Sequence, residues 1–240
     1  MLALGLPSLL RGEEVTVFAA ASLTDALQEI GRSYEVSTGD KVVFNLGASN
    51  DLARQIQAGA PADVFFSAEE AKMDALEKAT LVRRAERVNV LSNVLAVVVP
   101  ADIASPVRTP ADLSSLKRIA IADPDAAPAG AYARRYLQSV GLWERLKDRI
   151  VPALNARAAL SAVESGHADA WIVYRTDAAL SRRVRVAFEV PREQGPPIVY
   201  VLAPLVASRK PAARKLVRYL AAPEAAGIYQ RLGFLVPADR

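Results

Sequence analysis

The chain has 240 residues, 52% of them hydrophobic, with a net charge of +4 at pH 7, no cysteine and a single histidine. That length accommodates two cores of ordinary domain size, and the lack of thiols excludes disulfides, thiolate nucleophiles and thiolate-held metals. Lysine and arginine are interspersed with nearly as many acidic residues, so the charge describes a solvated surface and argues against a nucleic-acid partner.

The first apolar run, Leu2 to Leu10, is broken by Pro7 and is far shorter than the ~20 residues of a bilayer span. We read residues 1–12 as the remnant of a leader. Strand-like runs then alternate with helical patterns: "VTVFAAA" before "SLTDALQEIGRSYEV", "KVVFNLG" before "SNDLARQIQAG", "ADVFFSA" before "EEAKMDALEKA". This alternation predicts parallel βαβ units. The stretch "RVNVLSNVLAVVVP" has no helical period and predicts one long strand leaving the first lobe. A second α/β set follows in "RIAIADP", "AGAYARRYLQSVG", "NARAALSAVESG" and "ADAWIVY". The extended "PPIVYVLAPLVA" then returns the chain to a helical C-terminal stretch.

Two α/β sets joined by two extended crossings predict two lobes with a cleft between them. Lobe I takes residues 13–90 and 192–240, and lobe II takes 91–191. Open α/β sheets bind ligands beyond the carboxyl ends of their strands, and those ends are where candidate groups collect. Ser22 falls where a helix N-cap would sit, either capping only or also donating to an anion. Ser49 opens the second helix, and Ala129 follows Pro128 at a third helix start. Asn155 is an N-cap that leaves the N–H groups of Ala156 and Arg157 free. Tyr174 closes the strand "WIVY".

These ends supply donors and almost no acceptors, and each helix start adds about half a positive charge. Such a site holds an anion and has no base or nucleophile. His167 reads as an exposed loop residue, Asp123 as a turn residue before Pro124, and Asp177 as a helix cap, so an enzyme is not expected.

Four segments, "VTVFAAASLTDAL", "ASNDLARQIQAGAPADVFFSA", "DPDAAPAGAYA" and "WIVYRTDAAL", resemble in order and spacing the periplasmic molybdate-binding proteins of ABC transporters. The resemblance runs from about Glu14 to the end. It implies an α/β, two-lobed type II periplasmic-binding-protein fold, each lobe a mostly parallel sheet flanked by helices, with two hinge crossings. It implies a ligand, molybdate or tungstate, held between the lobes by neutral donors, with no cofactor and no directly coordinated metal. Carried over by motif, the ligand-binding residues are Ser22, Ser49, Ala129, Ala156 and Tyr174. Two departures stand out: Ala156 takes a place where the family usually has valine, and Asp51 follows the second loop. We expect the Asp51 carboxylate to cap its helix or face solvent. The resemblance also implies a periplasmic, monomeric receptor that docks on a membrane permease with its ATPase. Another tetrahedral or organic anion, sulfate or phosphate among them, is the alternative ligand.

Overall fold

The computed structural model describes residues 12–102 and 104–237; the expected leader lies, apart from Gly12, outside them. The chain begins with β1 (Glu14–Ala20), α1 (Thr24–Thr38), β2 (Lys41–Gly47), α2 (Ser49–Gln57), β3 (Val64–Ser67), α3 (Glu70–Lys78) and β4 (Val88–Ser92). It continues through β5 (Leu95–Pro100), β6 (Ile119–Ala122), α4 (Pro128–Ser139), α5 (Trp143–Leu146), β7 (Ile150–Ala153), α6 (Ala156–Glu164), β8 (Ala170–Tyr174), α7 (Arg175–Ala178) and β9 (Val184–Glu189). It ends with β10 (Val199–Pro204), α8 (Pro211–Leu220) and α9 (Pro223–Arg231).

The strands form two five-stranded sheets, ordered β2-β1-β3-β10-β4 and β7-β6-β8-β5-β9. In each sheet three neighbouring strands run parallel, the fourth is reversed, and the fifth pairs antiparallel with that reversed strand. Four of the five strands therefore point one way, which gathers their carboxyl ends on one edge. β1 and β6 lie between parallel neighbours and are almost wholly buried, as strands covered by helices on both faces must be. The helices bury one stripe each. In α1 that stripe is Ala26, Leu27, Ile30 and Tyr34, and the helix stops at Gly39, whose φ of 76° is left-handed and whose N–H returns to the Glu35 carbonyl at 2.9 Å.

Two strand readings change. The stretch 88–100, read as one strand, is β4 in the first sheet and β5 in the second, and the chain crosses between sheets at Asn93 and Val94. β7 and β9 were not among the predicted strands. Both lie at sheet edges, where β7 tolerates Pro152 because a missing N–H breaks no interior ladder.

The lobes are also joined away from the crossings. Tyr132, Tyr174, Tyr200 and Phe234 form a row of rings with centroids 5.6–6.4 Å apart, running from α4 and β8 in one lobe to β10 and the C-terminal segment in the other. Asn93 fastens the first crossing by donating from Nδ2 to Thr176 Oγ1 at 3.0 Å and accepting at Oδ1 from the Val94 N–H at 2.9 Å.

Candidate functional site

The carboxyl edges of the two sheets face each other across a cavity of about 20 Å³. A single water needs roughly 10–15 Å³ by this measure, so the space suits one compact ion. Its walls are residues 20–22 after β1, 47–49 after β2, Ala68 after β3, 127–129 before α4, 155–156 before α6, and Tyr174 at the end of β8. All five residues expected from the sequence, Ser22, Ser49, Ala129, Ala156 and Tyr174, therefore line one cavity, two from the first lobe and three from the second. None of the lining residues carries a charged side chain.

Three α-helices begin at this cavity, each with small residues in its first turn. In α4 the N–H groups of Gly130 and Ala131 return to the Ala127 carbonyl at 3.1 Å, and Pro128 has none, so Ala129 holds the uncommitted donor. In α6 the Asn155 side chain accepts from the Ala158 N–H at 3.0 Å, as expected, which leaves Ala156 and Arg157 without intrahelical acceptors. In α2 the Leu52 N–H reaches the Ala48 carbonyl at 3.0 Å, leaving Ser49 and Asn50 in the same condition.

Neither serine is an N-cap. Ser22 is the middle residue of a 3-10 turn, Ala21–Leu23, with Ala20 at its cap, and α1 begins beyond it. Ser49 is the first residue of α2, after the cap Ala48. Their hydroxyls answer to distant groups instead. Asn93 Nδ2 can only donate, and it lies 3.5 Å from Tyr200 Oη. Tyr200 Oη and Ser22 Oγ lie 3.1 Å apart and share a hydrogen bond that either can donate; with Tyr200 as the donor, Ser22 has its proton free for the cavity. Ser49 Oγ likewise accepts from the Ala68 N–H at 3.0 Å and keeps its proton.

Tyr174 is the sharpest case. Its side chain is 1% exposed, and its hydroxyl has no hydrogen-bond partner among the described residues. Burial pushes that hydroxyl well above its ordinary pKa, so it remains a donor. A buried, unsatisfied hydroxyl costs free energy in the absence of an acceptor, and here it borders a cavity ringed by other donors.

Asp51 is half-exposed, pairs with Arg54 on its own helix, and does not line the cavity. His167 is exposed and lies beside Ser165. Asp123 accepts from the N–H groups of Asp125 and Ala126 at 2.9 and 3.3 Å, the turn it was expected to make. Asp177 is a correction: it lies inside α7, fully buried, and caps nothing. Its Oδ1 is 3.2 Å from Arg157 Nε, and burial, opposed by that guanidinium, pushes its carboxyl up to about 7.

Sequence reasoning missed the groups that hold the two edges together. Asn50 Nδ2 donates across the cleft to the Asp125 carbonyl at 2.9 Å, Tyr132 Oη to the Ala68 carbonyl at 3.3 Å, and Arg135 to Glu69 at 2.7 Å. "SND" and "PAGAY" carried these residues in plain view, but only the facing of the lobes pairs them.

A family profile described as bacterial extracellular solute-binding protein matches residues 15–235. The chain belongs to this family. The solute-binding protein is 37% identical over 229 residues to the molybdate-binding protein ModA of Escherichia coli (strain K12), covering 93% of this chain and 89% of the relative. It is 35% identical over 228 residues to the ModA of Haemophilus influenzae, covering 92% and 89%. Among solved structures, the Azotobacter vinelandii periplasmic molybdate-binding protein superposes with a TM-score of 0.81 at 25% identity, covering 93% of this chain and 99% of that one. Two mixed sheets flanked by helices in this arrangement are the type II periplasmic-binding-protein fold, and its relatives are binding proteins rather than enzymes. Among the described residues no helix is long and apolar enough to cross a membrane, and no group of three or more side chains is set to hold a metal ion directly.

For this solute-binding protein the Ser22→Ala variant separates fold from site. We expect a cost in stability of about 1 kcal/mol, the loss of one buried hydrogen bond, and a drop in oxyanion affinity of about tenfold or more. Thermal unfolding and calorimetric titration on the same preparation check both; unchanged affinity would leave Ser22 a purely structural partner of Tyr200.

Proposed function

We propose that this chain is an extracytoplasmic receptor for molybdate, and equally for tungstate, which it grips between its lobes and hands to the membrane permease of an ABC importer. One observation carries the ligand reading: a single-ion cavity walled by helix starts and the hydroxyls of Ser22, Ser49 and Tyr174, with no charged side chain on its surface. A desolvated dianion is costly unless every oxygen accepts hydrogen bonds, and this wall offers only donors. The N–H groups of Ala129 and Ala156 approach closely because neither residue has more than a methyl group to keep the anion away.

Binding proceeds by capture and closure. Either lobe alone presents part of the donor set, and the anion favours the closed state by joining both sets, which is the differential affinity that closure requires. Selectivity follows from size and protonation. Sulfate is smaller than the two metal oxyanions and leaves some donors unmet, whereas protonated phosphate brings a donor to a surface of N–H and O–H groups, where the Ser49 oxygen already accepts from Ala68. The family's extracellular character and the ModA similarity support an exported, periplasmic protein; in this reading it acts as a monomer that meets the permease through the rims of both lobes.

The test is calorimetric titration of the dialysed protein with molybdate, tungstate, sulfate and phosphate. We expect tight one-to-one binding of the first two and none of the others. Binding of sulfate or phosphate alone, or of no inorganic oxyanion, would overturn the ligand assignment and point to another anion.

A further inference from the structure

Four of the five site residues are followed, within one turn of chain, by a charged side chain that the site itself does not use; Asp51, after Ser49, pairs with Arg54 on its own helix. Ser22 is followed by Asp25, Ala156 by Arg157, and Tyr174 by Asp177. These three side chains meet. Arg157, on the second turn position of α6, pairs through Nη2 with Asp25 Oδ2 on α1 in the opposite lobe, and its Nε is 3.2 Å from Asp177 Oδ1 on α7. Asp177 is fully buried, Arg157 is 30% exposed and Asp25 is 46% exposed. The cluster thus has an inner half fixed within lobe II and an outer carboxylate supplied by lobe I. It also borders a second cavity of about 250 Å³ that shares Ser22 with the oxyanion site.

We propose that Asp25, Arg157 and Asp177 form a closure clasp, in which Asp25 is a positioning residue that locks the donors of Ser22, Ala156 and Tyr174 into register only when the lobes meet. The clasp rests on the two-lobed capture reading above. Asp177 holds the guanidinium at the start of α6 whether the cleft is open or closed. Asp25 engages the outer nitrogen only on closure, so its contribution falls on the closed state alone. None of the three touches the cavity surface except through the backbone it anchors.

The sign of the effect makes the idea testable. Asp25 carries a negative charge close to the site of a dianion, so plain electrostatics predicts that removing it tightens binding. A clasp predicts the reverse. In the Asp25→Asn protein we expect molybdate affinity to fall about tenfold, as when one partner of a partly buried ion pair is lost, with an unchanged unfolding midpoint of the ligand-free protein. Asp25→Glu should recover most of the affinity. Asp51→Asn removes a charge from α2 that joins no lobes and should leave affinity equal or slightly higher.

The deciding readout is the spacing of the lobes. The cysteine-free chain accepts spin labels at Val36→Cys on α1 and Val140→Cys after α4, both exposed. Electron–electron resonance should show a larger share of wide separations in Asp25→Asn than in the parent, with and without molybdate. A distance distribution superimposable on the parent's overturns the clasp whatever the affinity. If the parent itself fails to bind molybdate, the ligand reading falls, and the ligand-free distributions still decide the clasp.

Discussion

In the Gly130→Ala protein, molybdate affinity is expected to fall at least ~100-fold, through loss of the Ala129 donor and misplacement of its neighbours. The reason is a backbone contact. A Cβ at Gly130 would lie 1.9 Å from the Ala122 carbonyl oxygen and 2.6 Å from its carbon. Ala122 ends β6, where it pairs with Ala153 of β7 in a strand flanked on its other side by β8, so it cannot step aside and α4 must retreat. The retreat carries Ala129 away from the cavity. Stability should also fall, towards the upper end of the roughly 1–3 kcal/mol typical of overpacking. Urea unfolding and calorimetric titration, run side by side, check the two effects. Parental affinity in this variant would mean that the start of α4 takes no part in binding.

Tyr174→Phe should separate function from stability in opposite directions. Removing the hydroxyl deletes one hydrogen bond to a charged acceptor, about 1.5–3 kcal/mol or ~10- to 150-fold in affinity. The same hydroxyl is buried without a partner in the protein, so the ligand-free variant should be as stable as the parent or more stable by about 1 kcal/mol. The neighbouring rings of Tyr132 and Tyr200 keep the phenyl in place. Thermal unfolding of both proteins, each with and without saturating molybdate, gives the comparison in one experiment. A variant destabilised without ligand but unchanged in affinity would show that the hydroxyl serves the core.

Much of the architecture was legible because local rules agree with the fold. The βα alternation from Val15 to Lys78 specifies parallel units, and the small residues that end β1 and β2 and open α4 and α6 mark where backbone can approach an anion. The failures have a common cause in sequence distance. Ser22 looks like a cap in its own segment; its real partner is Tyr200, 178 residues away. Asp177 looks like a cap for the same reason, while its partner Arg157 sits on another helix that packs against it only in the fold. The run from Val88 to Pro100 has no helical period in either strand, so periodicity could not reveal that Asn93 turns the chain into a second sheet. β7 escaped notice because Pro152 reads as a breaker until its place at an edge is known.

The equal strand orders of the two sheets have a geometric consequence. β1, β2 and β3 hold the same places in the first sheet as β6, β7 and β8 in the second. The loops that follow them pair off accordingly: Ser22 with Ala129, Ser49 with Ala156, and Ala68 with Tyr174. The two walls are therefore related by an approximate half-turn although their sequences do not repeat. A tetrahedral ion possesses that symmetry, since a half-turn exchanges its four oxygens in pairs. Each wall faces one pair, with different donors, since the Ala68 N–H is spent on Ser49 while Tyr174 keeps its hydroxyl free, and the ion itself is unchanged by such a rotation. One ion with several indistinguishable seatings loses less orientational entropy on capture than a bent or elongated anion, and this favours tetrahedral cargo by shape alone.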